Sequence, residues 1–213
     1  YVLDFFSGSA STAHAVIQQN LEDNGTRKFI MVQIPEETDA KSNARKAGFR
    51  TICEIGKERI RRAGKKIKED SPLTTQELDT GFRVFKCDSS NMKDVYYNPA
   101  EYEPSLFTSL EDNIKEDRTS EDLLFQVMLD LGVLLSSKIE ETTIAGKKVF
   151  NVEDNYLIAC FDDNVTEEAI TEIAKQKPYY FVMRDSSMAN DSVATNFEQI
   201  FAAYSPDTVR KVL

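Results

Sequence analysis

Hydrophobic and polar positions fall into short blocks whose spacing predicts most of the secondary structure. An apolar opening, Tyr1-Val2-Leu3, runs into Asp4-Phe5-Phe6; small residues fill 7–12, and 13–19 have helix-forming composition until Asn24-Gly25 breaks the pattern. Residues 29–34 form an apolar run of strand length, the signature of a strand buried on both faces, and Pro35 ends it. Strand, turn, helix, strand predicts a βαβ unit and therefore a parallel sheet with a right-handed crossover. After the polar stretch 36–48, Ile52, Ile55, Ile60, Ala63 and Ile67 recur at helical spacing with Arg59, Arg61, Arg62, Lys65, Lys66 and Lys68 between them. This predicts a long basic amphipathic helix. Residues 82–87 alternate as a third strand ending at Asp88, so 1–88 reads β-α-β-α-β, half of a doubly wound sheet.

Residues 89–118 are polar, acidic and interrupted by Pro99 and Pro104, and are expected to be a linker. Beyond them the spacing predicts a helix over 121–136 and a hairpin of 138–144 and 148–152 about Ala145-Gly146. A strand at 156–161 and a helix at 166–175 capped by Thr166 follow, then a strand at 179–183, a helix at 193–204 and a last strand at 208–213. The expected fold class is α/β: part of a Rossmann-like sheet over 1–88, then a small α/β domain over 119–213.

Charge divides the chain in the same way. The net charge is −10, but 1–88 hold 15 basic and 13 acidic residues, a net of +2, whereas 89–213 hold 11 basic and 23 acidic, a net of −12. The overall acidity therefore does not exclude a nucleic-acid partner, whose phosphates need local rather than average positive charge. No apolar run approaches the roughly 20 residues of a membrane span, so no membrane partner is expected. Cys53, Cys87 and Cys160 are far apart and form no CxxC pair, which fits a reducing, cytoplasmic location. With His14 the single histidine, no metal site is expected. An N-terminus inside a buried strand is unusual, and the chain is expected to be a piece of a longer polypeptide.

The informative chemistry lies at the end of the first strand. There a small-residue turn lets the backbone approach a ligand, and the following helix offers free N–H groups and the positive end of its dipole. A P-loop would need Gly-Lys-Ser/Thr and a dinucleotide turn three glycines, and neither is present. Asp162-Asp163-Asn164 reads as a turn before the Thr166 helix, and Arg184-Asp185-Ser186-Ser187 as a structural loop. The basic face of 57–68, interspersed with acids, reads first as a solvated helix face, with DNA phosphates as the alternative.

Asp4-Phe5-Phe6-Ser7-Gly8-Ser9 resembles motif I of amino-methyltransferases that use S-adenosylmethionine, with Ala10 in place of the usual final glycine. In order along the chain, the runs 27–36, 52–64, 79–86, 124–132 and 145–150 are similar to the C-terminal part of the modification (DNA-methylating) subunit of type III restriction–modification systems. The resemblance implies an S-adenosylmethionine-dependent DNA adenine-N6 methyltransferase. Asp4, Phe5, Phe6, Ser7, Gly8 and Ser9 would line the cofactor site; either Gln33 or Glu36 would hold the ribose; and Asp88 would meet the adenine edge. The catalytic Asp/Asn-Pro-Pro-Tyr/Phe motif is absent, so no catalytic residue is assigned and the chain alone is expected to be inactive. DNA, a homodimer partner and a restriction subunit are the expected partners. The alternative is a non-catalytic module for dimerisation or restriction-subunit docking.

Overall fold

The computed structural model describes residues 1–72, 75–93, 113–188 and 190–213. The chain divides into two compact units, Tyr1–Phe85 and Lys86–Leu213.

In the first unit, β1 (Val2–Phe5) and β2 (Phe29–Val32) pair in parallel, with Val2 opposite Phe29 and Phe5 opposite Val32. Helix α1 (Ser11–Asp23) makes the crossover, and Asn24 closes it in the left-handed region with φ 52°. Asn20 then ties the helix end to the next strand by donating to the Arg27 carbonyl at 2.8 Å and accepting its N–H at 3.1 Å. A short α2 (Asn43–Lys46) interrupts the polar stretch. Helix α3 (Ile52–Asp70) starts in a capping box: Thr51 Oγ1 accepts from the Glu54 N–H, and the Glu54 carboxylate accepts from the Thr51 N–H. The backbone N–H groups of Arg50 and Thr51 hold the Glu54 carboxyl below its ordinary range. Ala10 at the N-cap of α1, Ala13 and Ile17 within it and Ile60 from α3 form the core, with Phe29 and Met31 packed on it.

The expected third strand is not formed. Residues 82–87 take part in no ladder, and Val84 is 56% and Phe85 48% exposed. Alternation alone does not make a strand; it needs a hydrogen-bonding edge, and among the described residues this sheet is the β1–β2 pair. Phe82 instead packs on the α3 core and lies under the Arg61 guanidinium, 5.7 Å from the ring centroid. Asp88, expected at that strand's end, lies exposed outside any strand, and the Ser89 N–H above all holds its carboxyl below the usual range.

In the second unit, five strands lie in the order β3 (Ile139–Ile144), β4 (Lys147–Val152), β5 (Leu157–Cys160), β6 (Tyr180–Met183) and β7 (Val209–Val212). The first three pair antiparallel and the last three parallel. Ala145 and Gly146, with φ 47° and 78°, make the two-residue turn between β3 and β4. Successive residues of β5 feed opposite cores. Ile158 and Cys160 pack with α5 (Glu167–Lys175) and α6 (Asp191–Tyr204), while Leu157 and Ala159 pack with α4 (Ser120–Asp130) on the other face. The result is three layers, helix, sheet and helix. Burial pushes the Cys160 thiol up to about 11.

Helix α4 is shorter than the expected 121–136. It stops at Asp130 because Gly132 turns left-handed (φ 70°) and the Val133 N–H reaches back to the Met128 carbonyl at 2.7 Å. Of the expected linker, 94–112 lie outside the described residues. On either side of them Met92 and Ile114 form an antiparallel bridge, with Ile114 buried in the second unit's core.

Candidate cofactor site at the end of the first strand

Strand β1 delivers Asp4 to the mouth of a turn built from alternating left-handed residues: Phe6 at φ 61°, Gly8 at 53° and Ala10 at 57°. Two of these three are not glycine, and each such residue costs of order 1–3 kcal/mol that the surroundings must offset. Several contacts hold the turn. The Ser7 N–H donates to the Val32 carbonyl at 3.1 Å, and the Ala10 N–H to the Ser7 carbonyl at 2.8 Å. The Gly8 N–H donates to Gln33 Oε1 at 2.7 Å. Thr12 Oγ1 donates to Asp4 Oδ2 at 2.5 Å, leaving Oδ1 of that carboxylate without a donor among the described residues.

Two features leave this turn open to a ligand. A Cβ placed on Gly8 would meet nothing nearer than the Phe6 carbonyl, at 4.0 Å. Helix α1 has Ala10 as its N-cap and no side-chain cap, so its first N–H groups are not satisfied by the chain's own side chains. Helices α3, α4, α5 and α6 are capped by Thr51, Thr119, Thr166 and Asn190.

Of the residues expected at the site, the structure brings Asp4, Ser7, Gly8, Ser9 and Gln33 together about one turn. Gln33 is bound there through its side chain, and its own Nε2 donates to the Ile34 carbonyl at 3.1 Å. Glu36 is exposed; its backbone carbonyl accepts the Ile52 N–H at 3.0 Å, while its carboxylate has no partner among the described residues. Phe5 and Phe6 are 63% and 75% exposed. Phe5 belongs to an open apolar face that continues through Leu3 (55%), Ile30 (48%) and Val32 (41%). The acids at 162 and 163 serve as a turn: Asp162 Oδ2 accepts the Lys148 N–H, and the Asp163 carbonyl accepts Lys147 Nζ, both at 2.7 Å. Among the described residues no group of three or more His, Cys, Asp or Glu side chains is placed to hold a metal ion. No described helix is long and apolar enough to cross a membrane.

Three residues at the turn are not evident from the sequence pattern. Thr12 orients Asp4. Cys53 Sγ lies 3.5 Å from the Gln33 carbonyl. Gly56 is buried where α3 crosses the turn; its Cβ would stand 3.4 Å from both Ala10 Cβ and the Gly8 carbonyl oxygen. A glycine inside a strong helix pattern is the available signal, since it marks close backbone approach.

No family model matches the chain. The type III restriction-modification enzyme EcoP15I Mod subunit of Escherichia coli is 33% identical over 202 residues, 92% of this chain and 28% of the subunit. The type III restriction-modification enzyme StyLTI Mod subunit of Salmonella typhimurium is 46% identical over 85 residues, 40% of this chain and 13% of that one. The Type II methyltransferase M.KpnI of Klebsiella pneumoniae is 43% identical over 54 residues, 25% of this chain and 13% of the enzyme. The chain spans about a quarter of the length of the EcoP15I relative. It is homologous to part of the Mod subunit of type III restriction–modification enzymes.

Proposed function

We propose that this chain is the C-terminal part of a DNA adenine-N6 methyltransferase subunit of a type III restriction–modification system, acting in the cytoplasm. The observation that carries the reading is the β1 turn, where Asp4, a left-handed Gly8 with open space above it and an uncapped helix α1 converge. S-adenosylmethionine fits this donor set. It has an ammonium for an anionic oxygen such as Asp4 Oδ1, and a carboxylate for backbone N–H groups at a helix N-terminus. When bound, the cofactor supplies a methyl group activated by its sulfonium. The chain's own residues bind and orient: Thr12 fixes Asp4, Gln33 holds the turn through the Gly8 N–H, and Ser7 and Ser9 offer small polar walls. With Gln33 engaged there, Glu36 is the free carboxylate beyond β2 that we assign to the ribose hydroxyls.

The reading also accounts for the open face of Leu3, Phe5, Ile30 and Val32. Both sides of a parallel sheet are normally covered, and here α1 and α3 cover one side. We assign the other to the remaining part of the subunit, which also brings the catalytic motif. The test is transfer of a labelled methyl group to unmethylated DNA. This chain alone is expected to give none, and a subunit extended at its N-terminus is expected to give incorporation. Incorporation by the chain alone overturns the missing-half reading; none by the extended subunit overturns the methyltransferase reading.

The second unit is proposed as an assembly surface, for a second copy or a restriction subunit. Its strong acidity makes it a poor DNA clamp and allows an electrostatically complementary protein partner. Sedimentation at high concentration is expected to show a dimer, and a strict monomer removes self-association from its roles.

A further inference from the structure

Resting on the DNA-methyltransferase reading, we infer that the solvent face of α3 is a ridge that binds the phosphate backbone of duplex DNA beside the cofactor turn. From Arg59 to Lys68 every exposed residue is a cation: Arg59, Arg61, Arg62, Lys65, Lys66 and Lys68. At 3.6 residues per turn they form two rows that flank the buried line of Ile60, Ala63 and Gly64. Arg59, Arg62 and Lys66 make one row; Arg61, Lys65 and Lys68 make the other. Glu58 and Glu69 stand between the rows at the two ends. Glu58 engages Arg62 at 2.7 Å and Arg61 at 3.9 Å, and Glu69 engages Lys65 at 3.7 Å. Arg59, Lys66 and Lys68 have no ion pair among the described residues. Six of the 15 basic residues in 1–88, a half whose net charge is only +2, are gathered on this one face.

The composition of this face identifies the partner's chemistry. Protein–protein interfaces use arginine too, but set it among aromatic residues and methionine and are depleted in lysine, whereas α3 exposes three lysines and no apolar side chain between Arg59 and Asp70. Each row spans about 10 Å, from the 1.5 Å rise per residue over seven positions. That length matches about three phosphates of one DNA strand at roughly 3.4 Å of axis each. Position supplies the second argument. The same helix crosses the cofactor turn at Gly56, so the first cation, Arg59, lies less than one turn beyond the contact with Gly8 and Ala10. A duplex lying along α3 is therefore held beside the residues proposed to bind the methyl donor.

The test is fluorescence anisotropy of this 213-residue chain with a labelled 20-base-pair duplex of arbitrary sequence, between 50 and 200 mM salt. Binding is expected to weaken steeply with salt. Arg59→Gln/Arg62→Gln/Lys66→Gln and Arg61→Gln/Lys65→Gln/Lys68→Gln are each expected to lower the log–log salt slope by about 2–3, at about 0.9 for every phosphate no longer neutralised, and to weaken binding at least tenfold at 50 mM. Glutamine is a good helix former, and unchanged far-UV circular dichroism checks that α3 persists. A control removing equal charge elsewhere, Lys41→Gln/Lys46→Gln/Lys138→Gln, is expected to leave the slope unchanged. The inference is overturned if both triple variants bind like wild type, if the wild type does not bind the duplex, or if polyglutamate of equal charge binds as tightly as DNA. Failure of the methyl-transfer assay of the extended subunit, with the α3 slope change intact, sinks the methyltransferase reading and leaves this surface standing.

Discussion

Replacing Phe201 by alanine is expected to cost the Lys86–Leu213 unit about 3–5 kcal/mol of unfolding free energy, the usual loss for a buried large aromatic. The ring is fully buried among the residues that join α5, α6 and the sheet. It stacks on Phe181 with centroids 5.2 Å apart and meets Phe197 edge-on at 5.3 Å. Such pairs add about 0.5–1.5 kcal/mol beyond the area they bury. The cavity left by alanine is enclosed by helix and sheet on both sides, so the surroundings have little freedom to collapse into it. Against a total of about 5–15 kcal/mol for an ordinary domain, this is about a fifth of the stability or more. Urea unfolding is the measurement, and a loss under about 1.5 kcal/mol would show that the aromatic cluster is not the centre of this core. Arg210 provides the contrast. Its guanidinium lies 5.8 Å from the Phe201 ring centroid and pairs with the exposed Glu198 at 2.8 Å. Arg210→Ala is expected to cost under about 1 kcal/mol, since exposed pairs contribute little.

The second large effect is expected at Gly8. A β-branched residue is a genuine outlier at φ 53°, and left-handed backbone costs a non-glycine residue roughly 1–2 kcal/mol. The same Cβ vector points into the open space above the turn, where the proposed methionine end of the cofactor lies. Gly8→Val in the N-terminally extended subunit is therefore expected to weaken S-adenosylmethionine binding by about a hundredfold, which is about 2.7 kcal/mol. The melting temperature is expected to fall by only a few degrees. Calorimetric titration checks the first and a thermal scan the second. Unchanged affinity in a folded variant removes the turn from the cofactor site. Asp4→Asn separates charge from shape, because it keeps an oxygen for Thr12 and loses the anion offered to an ammonium.

How much of this is legible in the sequence depends on how far apart the interacting residues lie. Thr51 with Glu54, Thr119 with Asp122 and Thr166 with the Ala169 N–H are contacts three positions apart, and each marks a helix start that any window of the chain displays. The Ala145-Gly146 turn is equally local, and both residues adopt the positive φ that a two-residue hairpin requires. The end of α4 differs from the periodic expectation because leucines at 131, 134 and 135 continue a helical period that Gly132 interrupts by backbone geometry alone. Residues 82–87 show the opposite case. Their alternation is real, but a ladder is a relation between two segments, and here Phe82 goes to the α3 helix while Val84 and Phe85 face outward.

At the candidate site the same division holds. Asp4, Gly8 and the small residues around them are readable because a turn that must approach a ligand restricts residue size within a few positions. The part played by Gln33 is not, since its side chain reaches the Gly8 N–H across 25 positions. Nor is the role of Gly56 as the place where α3 rests on the turn. The amino-acid sequence by itself determined where the long helices begin, the Thr166 cap, the hairpin, the βα turn and the charge difference between the halves. Each of these follows from backbone preference, periodicity or Coulomb's law acting over neighbouring residues. Tertiary structure alone decided which apolar rows are covered and which stay open, which polar side chain holds the turn, and which of the described cations stand without an ion pair beside it. Those outcomes depend on contacts between residues far apart in the chain, and such contacts exist only once the elements have packed.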